Sequence, residues 1–472
     1  MRSMDTRDLR SEDVRVRRAA VPLLALTVGF VLADSAIVTL ALPEILRRLG
    51  GTVPQAAWVL IAFNLVLALV VVPAAWVCGH RDPVPLCAAG IAVFAGASSA
   101  CALAGSMPVL IAARCVQALG GAFALVGCLE LLVATIGERR GIACWIAAGV
   151  IGTAVGPVAG GLLTETISWQ AVFVVQVPVA VLAVPAALTV GGGAADRGAA
   201  RRGAVQRADM QRPAVAPNVS LVLLSAALTA ALFLLVLLLV EGWRRSPAIA
   251  ALAVSVVPVA AFVATPVARR ARAAPRAEIA AGCLLVAGGL AALALLPSAQ
   301  LAWTIAPQAL IGLGLGLSLD RLTVDALRDR SPRVMHAGWT IGARHAGVVL
   351  GLAILTPVFT ADLRNAQVPA QEAITALVLD APLPADDKIA LARGLSDQLT
   401  KEHGRVPDLH PAFARLQLAP AERPAADQLE RDLNAQLERA ATQAFHDSFL
   451  IAAGLALIAL VPMLPLRRRV TT

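Results

Sequence analysis

The chain alternates between long apolar runs and short polar breaks. Twelve runs recur, at about 20–42, 56–78, 84–105, 108–136, 142–164, 168–190, 217–241, 247–268, 278–297, 301–320, 336–359 and 446–466. Each is long enough to cross the ~30 Å hydrocarbon core of a bilayer as a helix rising about 1.5 Å per residue. Lipid offers the backbone no hydrogen-bond partner, so such runs must be helical. The pattern predicts an all-α integral membrane protein of two six-helix halves. Its parts are a tail at 1–19, a first half at 20–190, a polar linker at 191–216, a second half at 217–466 and a tail at 467–472. A long polar insert at 361–445 separates the last two spans.

Composition agrees with this reading. The 472 residues are 58% hydrophobic and 15% charged, where an ordinary soluble domain carries about 25% charged residues. The net charge of +9 does not point to nucleic acid, because the insert holds nine Lys or Arg against thirteen Asp or Glu and the excess belongs to the membrane portion. Basic clusters such as GERRG, RRARAAPR and the terminal RRR fall on one side of the spans. By the positive-inside rule this places both termini and the linker in the cytoplasm, the insert outside, and the chain in the cytoplasmic membrane as a multi-pass protein. Seven cysteines lie in or beside the spans without metal-type spacing and read as small core hydrophobes. Trp58, Trp76, Trp169, Trp243 and Trp303 near span ends read as an interfacial belt.

The linker is too poor in apolar residues to fold and reads as a flexible connector. The insert reads as partly helical, with one helix in PADDKIALARG ending at Gly394. A second is expected in DQLERDLNAQLERAATQAF, opening on Asp427 and Glu430 and placing Leu429, Leu433 and Leu437 on one stripe.

Ionisable groups inside spans are costly and call for a partner or a task. Asp34 in VLADSAIVTLALP lies about eight residues, or ~12 Å, from the end of the first span, and Arg114 lies at about ~9 Å in the fourth. The matched depth predicts a pair, either exchanging partners as Asp34 takes and releases a proton or bracing the two spans statically. Gln117, Phe63 and Asn64, with Arg344 and His345 in the eleventh span, are the candidates to line a central path. Asp320 and Asp325, at the end of the tenth span, read as members of loop ion pairs. In GVIGTAVGPVAGGLL, Gly152, Gly156 and Gly160 recur every four residues, a smooth face for close helix approach, and Pro157 removes a backbone donor. No P-loop, nucleophile elbow or metal motif is present, so no enzyme and no cofactor is expected.

These segments carry a resemblance. Gly156, Pro157, Gly160 and Gly161 look like the antiporter signature of drug:proton antiporters of the major facilitator superfamily. Asp34, Ala41, Leu42 and Pro43 resemble the first-span signature of the same family. Arg114, Gln117 and Gly120 resemble its fourth span, and Arg344, Gly347 and Gly351 a late one. The branch most resembled is the EmrB/QacA type, usually built with fourteen spans where this chain has twelve. The loop AAWVCGHRDPVPL departs from the pattern: Gly79 stands where an Asp is expected, and Asp82 where a Gly is. The resemblance implies a major facilitator fold and export of amphipathic, cationic or neutral, drug-like compounds by proton antiport. Asp34 and Arg114 would couple protons, and the Gly156 to Gly161 face would form a packing hinge. Its expected partners are a small-molecule substrate, protons and the lipid bilayer. The rival expectation is a non-transporting receptor or scaffold that meets a partner protein through its insert.

Overall fold

The computed structural model describes residues 6–191, 211–271, 274–328, 330, 332–401, 409–414 and 422–463. Twelve helices among them are long and apolar enough to span a membrane. In order they are Ala19–Leu49, Val53–His80, Pro83–Ala102, Met107–Ile136, Glu138–Thr166, Ala171–Val190, Val215–Gly242, Pro247–Pro266, Pro275–Ala294, Leu301–Leu327, Val334–Asn365 and Arg423–Met463. Most of the proposed linker lies outside the described residues, so the structure does not address its flexibility. The side on which the sixth span ends and the seventh begins is called the linker side, and the opposite one the insert side.

The two halves repeat one packing scheme. The first span packs on the fifth as the seventh packs on the eleventh, and the third on the fourth as the ninth on the tenth. Glycine makes the first of these pairings possible. A Cβ on Gly152 would fall 2.3 Å from Gly29 O, and one on Gly160 2.2 Å from Ile37 O. On the eleventh span, Gly347 and Gly351 meet Val222 O and Ala226 O of the seventh at 2.2 and 2.3 Å in the same sense. With no hydrophobic drive between helices in lipid, such backbone approach is what packs them.

The halves meet on both sides of the membrane. On the insert side, a Cβ on Gly161 of the fifth span would lie 2.3 Å from Ala251 Cβ of the eighth, and Glu165 Oε2 accepts the Ala248 N–H at 2.7 Å. Arg47 lies 3.7 Å from Glu241 of the seventh span. On the linker side the second span packs on the eleventh, with Gly338 and Gly342 set against Ala75 and Ala68. The core follows this arrangement: one apolar cluster joins the insert-side end of the first half to the second half, and another joins the first half to Val334, Met335 and Ile341.

The insert is a folded unit with a core of its own, in which Ile374, Leu391, Phe413, Leu429, Leu433 and Leu437 meet. The eleventh-span helix runs on without a break to Asp380, as Arg333–Asp380. Two expectations need correction here. The helix expected to end at Gly394 runs from Ala385 to Lys401. The helix expected to open on Asp427 starts at Arg423, with Glu422 as N-cap and no capping box. The leucine stripe, not the cap, sets that helix, because its apolar face has a core to fill. The interfacial belt also shrinks. Trp58, Trp76 and Trp303 are exposed, but Trp169 and Trp243 are buried, held by an edge contact to Phe173 and by a hydrogen bond from Trp243 Nε1 to Thr442.

Candidate functional site

Asp34 and Arg114 are brought together at the centre of the first half, and both are completely buried. Arg114 donates through one terminal nitrogen to Asp34 Oδ2 and, at 2.7 Å, to Gln117 Oε1. Its Nε donates to Val59 O at 3.2 Å. Asp34 Oδ1 accepts from Gln117 Nε2 at 3.2 Å and from Gln176 Nε2 at 3.1 Å. Gln117 is held in turn by Ser98 Oγ, to which it donates at 2.9 Å. The guanidinium lies over the Phe63 ring at 4.2 Å, with Phe173 at 5.8 Å. Donors surround the carboxylate and aromatic faces cover the cation, which is how a buried ion pair is made tolerable in apolar surroundings.

Each side chain is positioned by its helix. Arg114 and Gln117 are three residues apart on the fourth span and so share a face. Gln176 opens the longer segment of the sixth span, directly after the break at Val175 that separates Ala171–Val174 from Gln176–Gly191. The glycine stripe of the fifth span reaches this site through the backbone. Gly156 sits 3.3 Å, measured to its would-be Cβ, from Ala33 O, one residue before Asp34. Pro157 lies buried inside an otherwise continuous helix.

A second polar chain crosses between the halves. Asn64 donates through Nδ2 to Ser35 Oγ at 2.9 Å and to Leu60 O at 2.8 Å, so its Oδ1 is the acceptor facing His345 Nδ1 at 2.6 Å. The imidazole therefore carries its proton on Nδ1 and donates across the interface. This ties the eleventh span to the second, and through Ser35 to the first span beside Asp34. Arg344, the neighbouring candidate, is not in this chain and makes no such bond. Single removal of either member, Asn64→Ala or His345→Ala, is expected to cost about 1 kcal/mol, and the double variant little more than one of them. Thermal unfolding of the four forms in detergent measures this, and fully additive losses would sink the coupling.

Gln176, Ser98 and Phe173 were not anticipated from the sequence. The signal available was Gln176 itself, a lone amide in the apolar VFVVQVP, and amides in lipid-embedded helices seek partners. At the linker side Arg321 pairs with buried Glu278 of the ninth span, with Arg321 Nη2 at 3.1 Å from Glu278 Oε1. Asp320 is exposed, and among the described residues it forms no such pair, so the loop pairing expected for it is not found there. The chain's cysteines are free, five of them buried.

A family model described as Major Facilitator Superfamily matches residues 24–358. The chain belongs to this superfamily. Solved structures agree on the fold of this facilitator. A bacterial homologue of the human lysosomal transporter Spinster, in an inward-facing and unoccupied conformation, superposes with a TM-score of 0.57 at 16% identity, covering 95% of this chain and 97% of that one. Among curated proteins, the tetracenomycin C resistance and export protein of Streptomyces glaucescens is 35% identical over 176 residues, 36% of this chain and 32% of that protein. The multidrug resistance protein Stp of Mycobacterium tuberculosis is 33% identical over 172 residues, 35% of this chain and 32% of that protein. The methylenomycin A resistance protein of Streptomyces coelicolor is 32% identical over 167 residues, 34% of this chain and 35% of that protein. The matched stretch thus spans about a third of each of these relatives. The facilitator is a multi-pass membrane transporter and not an enzyme.

Proposed function

We propose that this transporter exports small amphipathic organic compounds across the cytoplasmic membrane in exchange for protons, as a drug:proton antiporter of the EmrB/QacA type. The linker side is then cytoplasmic and the insert side external. The observation that carries this reading is the sealed cluster of Asp34, Arg114, Gln117 and Gln176. An ionisable group at the middle of a span, ringed by polar side chains that can release it, has the makings of a proton site. With the halves in contact on both sides of the membrane, no solvent reaches Asp34, whose side chain is completely buried. Proton exchange therefore needs the halves to part and Arg114 to let go. The glycine stripe of the fifth span, seated on the backbone beside Asp34, supplies a hinge for that motion. The named drug-resistance relatives support the drug-like class of cargo.

The test is collapse of an imposed pH gradient in inverted membrane vesicles when lipophilic compounds are added. Protons are expected to move through the intact protein and at least about a hundredfold more slowly through Asp34→Asn, since removal of an obligatory proton site leaves no coupled cycle. Equal flux in the two forms would leave Asp34 as a static brace. The separate core of the insert supports the rival reading of a receptor, which a stable external complex without flux would favour.

A further inference from the structure

Arg344 stands apart from the other charges within the spans. It lies about 11 residues, or ~16 Å, into the helix that begins at Arg333, well inside the membrane. The residues one turn above and below it, Thr340, Ile341, Gly347 and Val348, are all buried. Its face of the helix therefore points into the bundle, while Trp339 and Leu350 mark the exposed face roughly opposite. The seventh span backs it at Gly347, and Asn64 of the other half backs it at His345. Yet Arg344 itself is exposed. Exposure on a face that otherwise points into the bundle leaves this side chain facing open space between the helices.

Nothing among the described residues satisfies this guanidinium. Among the described residues it has no hydrogen bond or ion pair, and Asp320 of the tenth span acts on it only from beyond ion-pair distance. Arginine keeps its charge at any physiological pH, so the cost of holding it here is not relieved by losing a proton. The contrast with Arg114 is direct: that guanidinium is stacked, bonded and sealed, while this one presents an open planar fork to the path between the halves. A planar fork matches a carboxylate through two parallel hydrogen bonds.

We propose that Arg344 is the anion-recognising residue of the translocation path, and that the cargo is an amphipathic organic acid presenting a carboxylate to it. This replaces the cationic or neutral cargo expected from the sequence. It rests on the proposed function only in taking the path between the halves as the substrate path. The charge balance differs from that of cation export. A carboxylate leaving while a proton enters moves two unit charges in one electrical sense, so an inside-negative potential drives the exchange, whereas exchange of a monocation for a proton is electroneutral.

Because lipophilic acids cross bilayers unaided, equilibrium binding to the purified full chain in detergent is the cleaner assay. The probes are naphthalene-1-acetate, its neutral amide and a naphthyl trimethylammonium. The intact protein is expected to bind the acid about tenfold more tightly than the amide, the size of one charge-assisted hydrogen-bonded pair. Arg344→Gln should abolish that preference, and Arg344→Lys should keep part of it as a point charge without the fork. Unchanged amide affinity across the three forms reports that the variants are folded. Amide or ammonium binding as tightly as the acid to the intact protein, or an acid preference that survives in Arg344→Gln, overturns the proposal. A preference for the acid in a protein that moves no protons would overturn antiport and leave this assignment standing; proton flux without the preference does the reverse.

Discussion

Arg114→Leu is expected to destabilise the folded protein by about 3–5 kcal/mol, the cost of leaving a buried charge without its partner. The value is high because the site offers no escape. Asp34 is completely buried, and Gln117 and Gln176 remain to donate to it, but no cation is left. Gln117 Oε1 loses its stronger donor as well, keeping the Cys101 thiol at 3.7 Å, and Val59 O loses the one that Nε supplied. Adding Asp34→Asn to Arg114→Leu should recover a large part of the loss, since the uncompensated charge goes with it. The double variant is thus more stable than the single one, an inversion that simple loss of contacts does not produce. Thermal unfolding in detergent of intact, single and double forms decides the matter. A double variant weaker than Arg114→Leu alone would mean that Asp34 is not the group that Arg114 neutralises.

The second large effect lies in the glycine stripe. Gly160→Val is expected to cost roughly 3 kcal/mol through overpacking, or to force the first and fifth spans apart. A Cβ there would sit 2.2 Å from Ile37 O, and that oxygen belongs to a helix backbone with no freedom to turn aside. Gly347→Val should behave alike in the second half, where the same distance to Val222 O applies. Gly454→Val is the control, because nothing lies within 4 Å of its would-be Cβ. Transport and thermal stability are read together. If Gly160→Val keeps both at the level of Gly454→Val, close packing of the first and fifth spans is not what the motif is for.

The twelve spans were legible because length and hydropathy alone decide what can cross a bilayer. The pairing of Asp34 with Arg114 was legible from depth, since helical rise converts residue count into distance. The rest of the site was not. Gln176 and Ser98 come from spans whose rotation about their own axes is fixed by neighbours, and an all-round apolar helix leaves no stripe from which to read that rotation. Trp169 and Trp243 show the same limit: closeness to a span end does not say which way an indole points, and both turned inward. Gly394 was read as a helix end on its residue type. In the structure the helix passes through it, with Ala412 Cβ 3.3 Å from the place a side chain would take. Tertiary packing overrode a local preference worth only about 1 kcal/mol. Arg344 was singled out in advance, but its solitude was visible only once every neighbour had a place.

The eleventh-span helix, continuous from Arg333 to Asp380, makes the insert more than an ornament. From His345, where this helix is fastened to the other half, to its far end is about 35 residues, or ~52 Å of rigid rod. A tilt of about 10° at that fulcrum would swing the tip by ~9 Å, a stroke far larger than the movement within the bundle that causes it. Each turn of the transport cycle would then be broadcast beyond the membrane as a beat of the cap, and a molecule that clamps the cap would stall the transporter without ever entering its path.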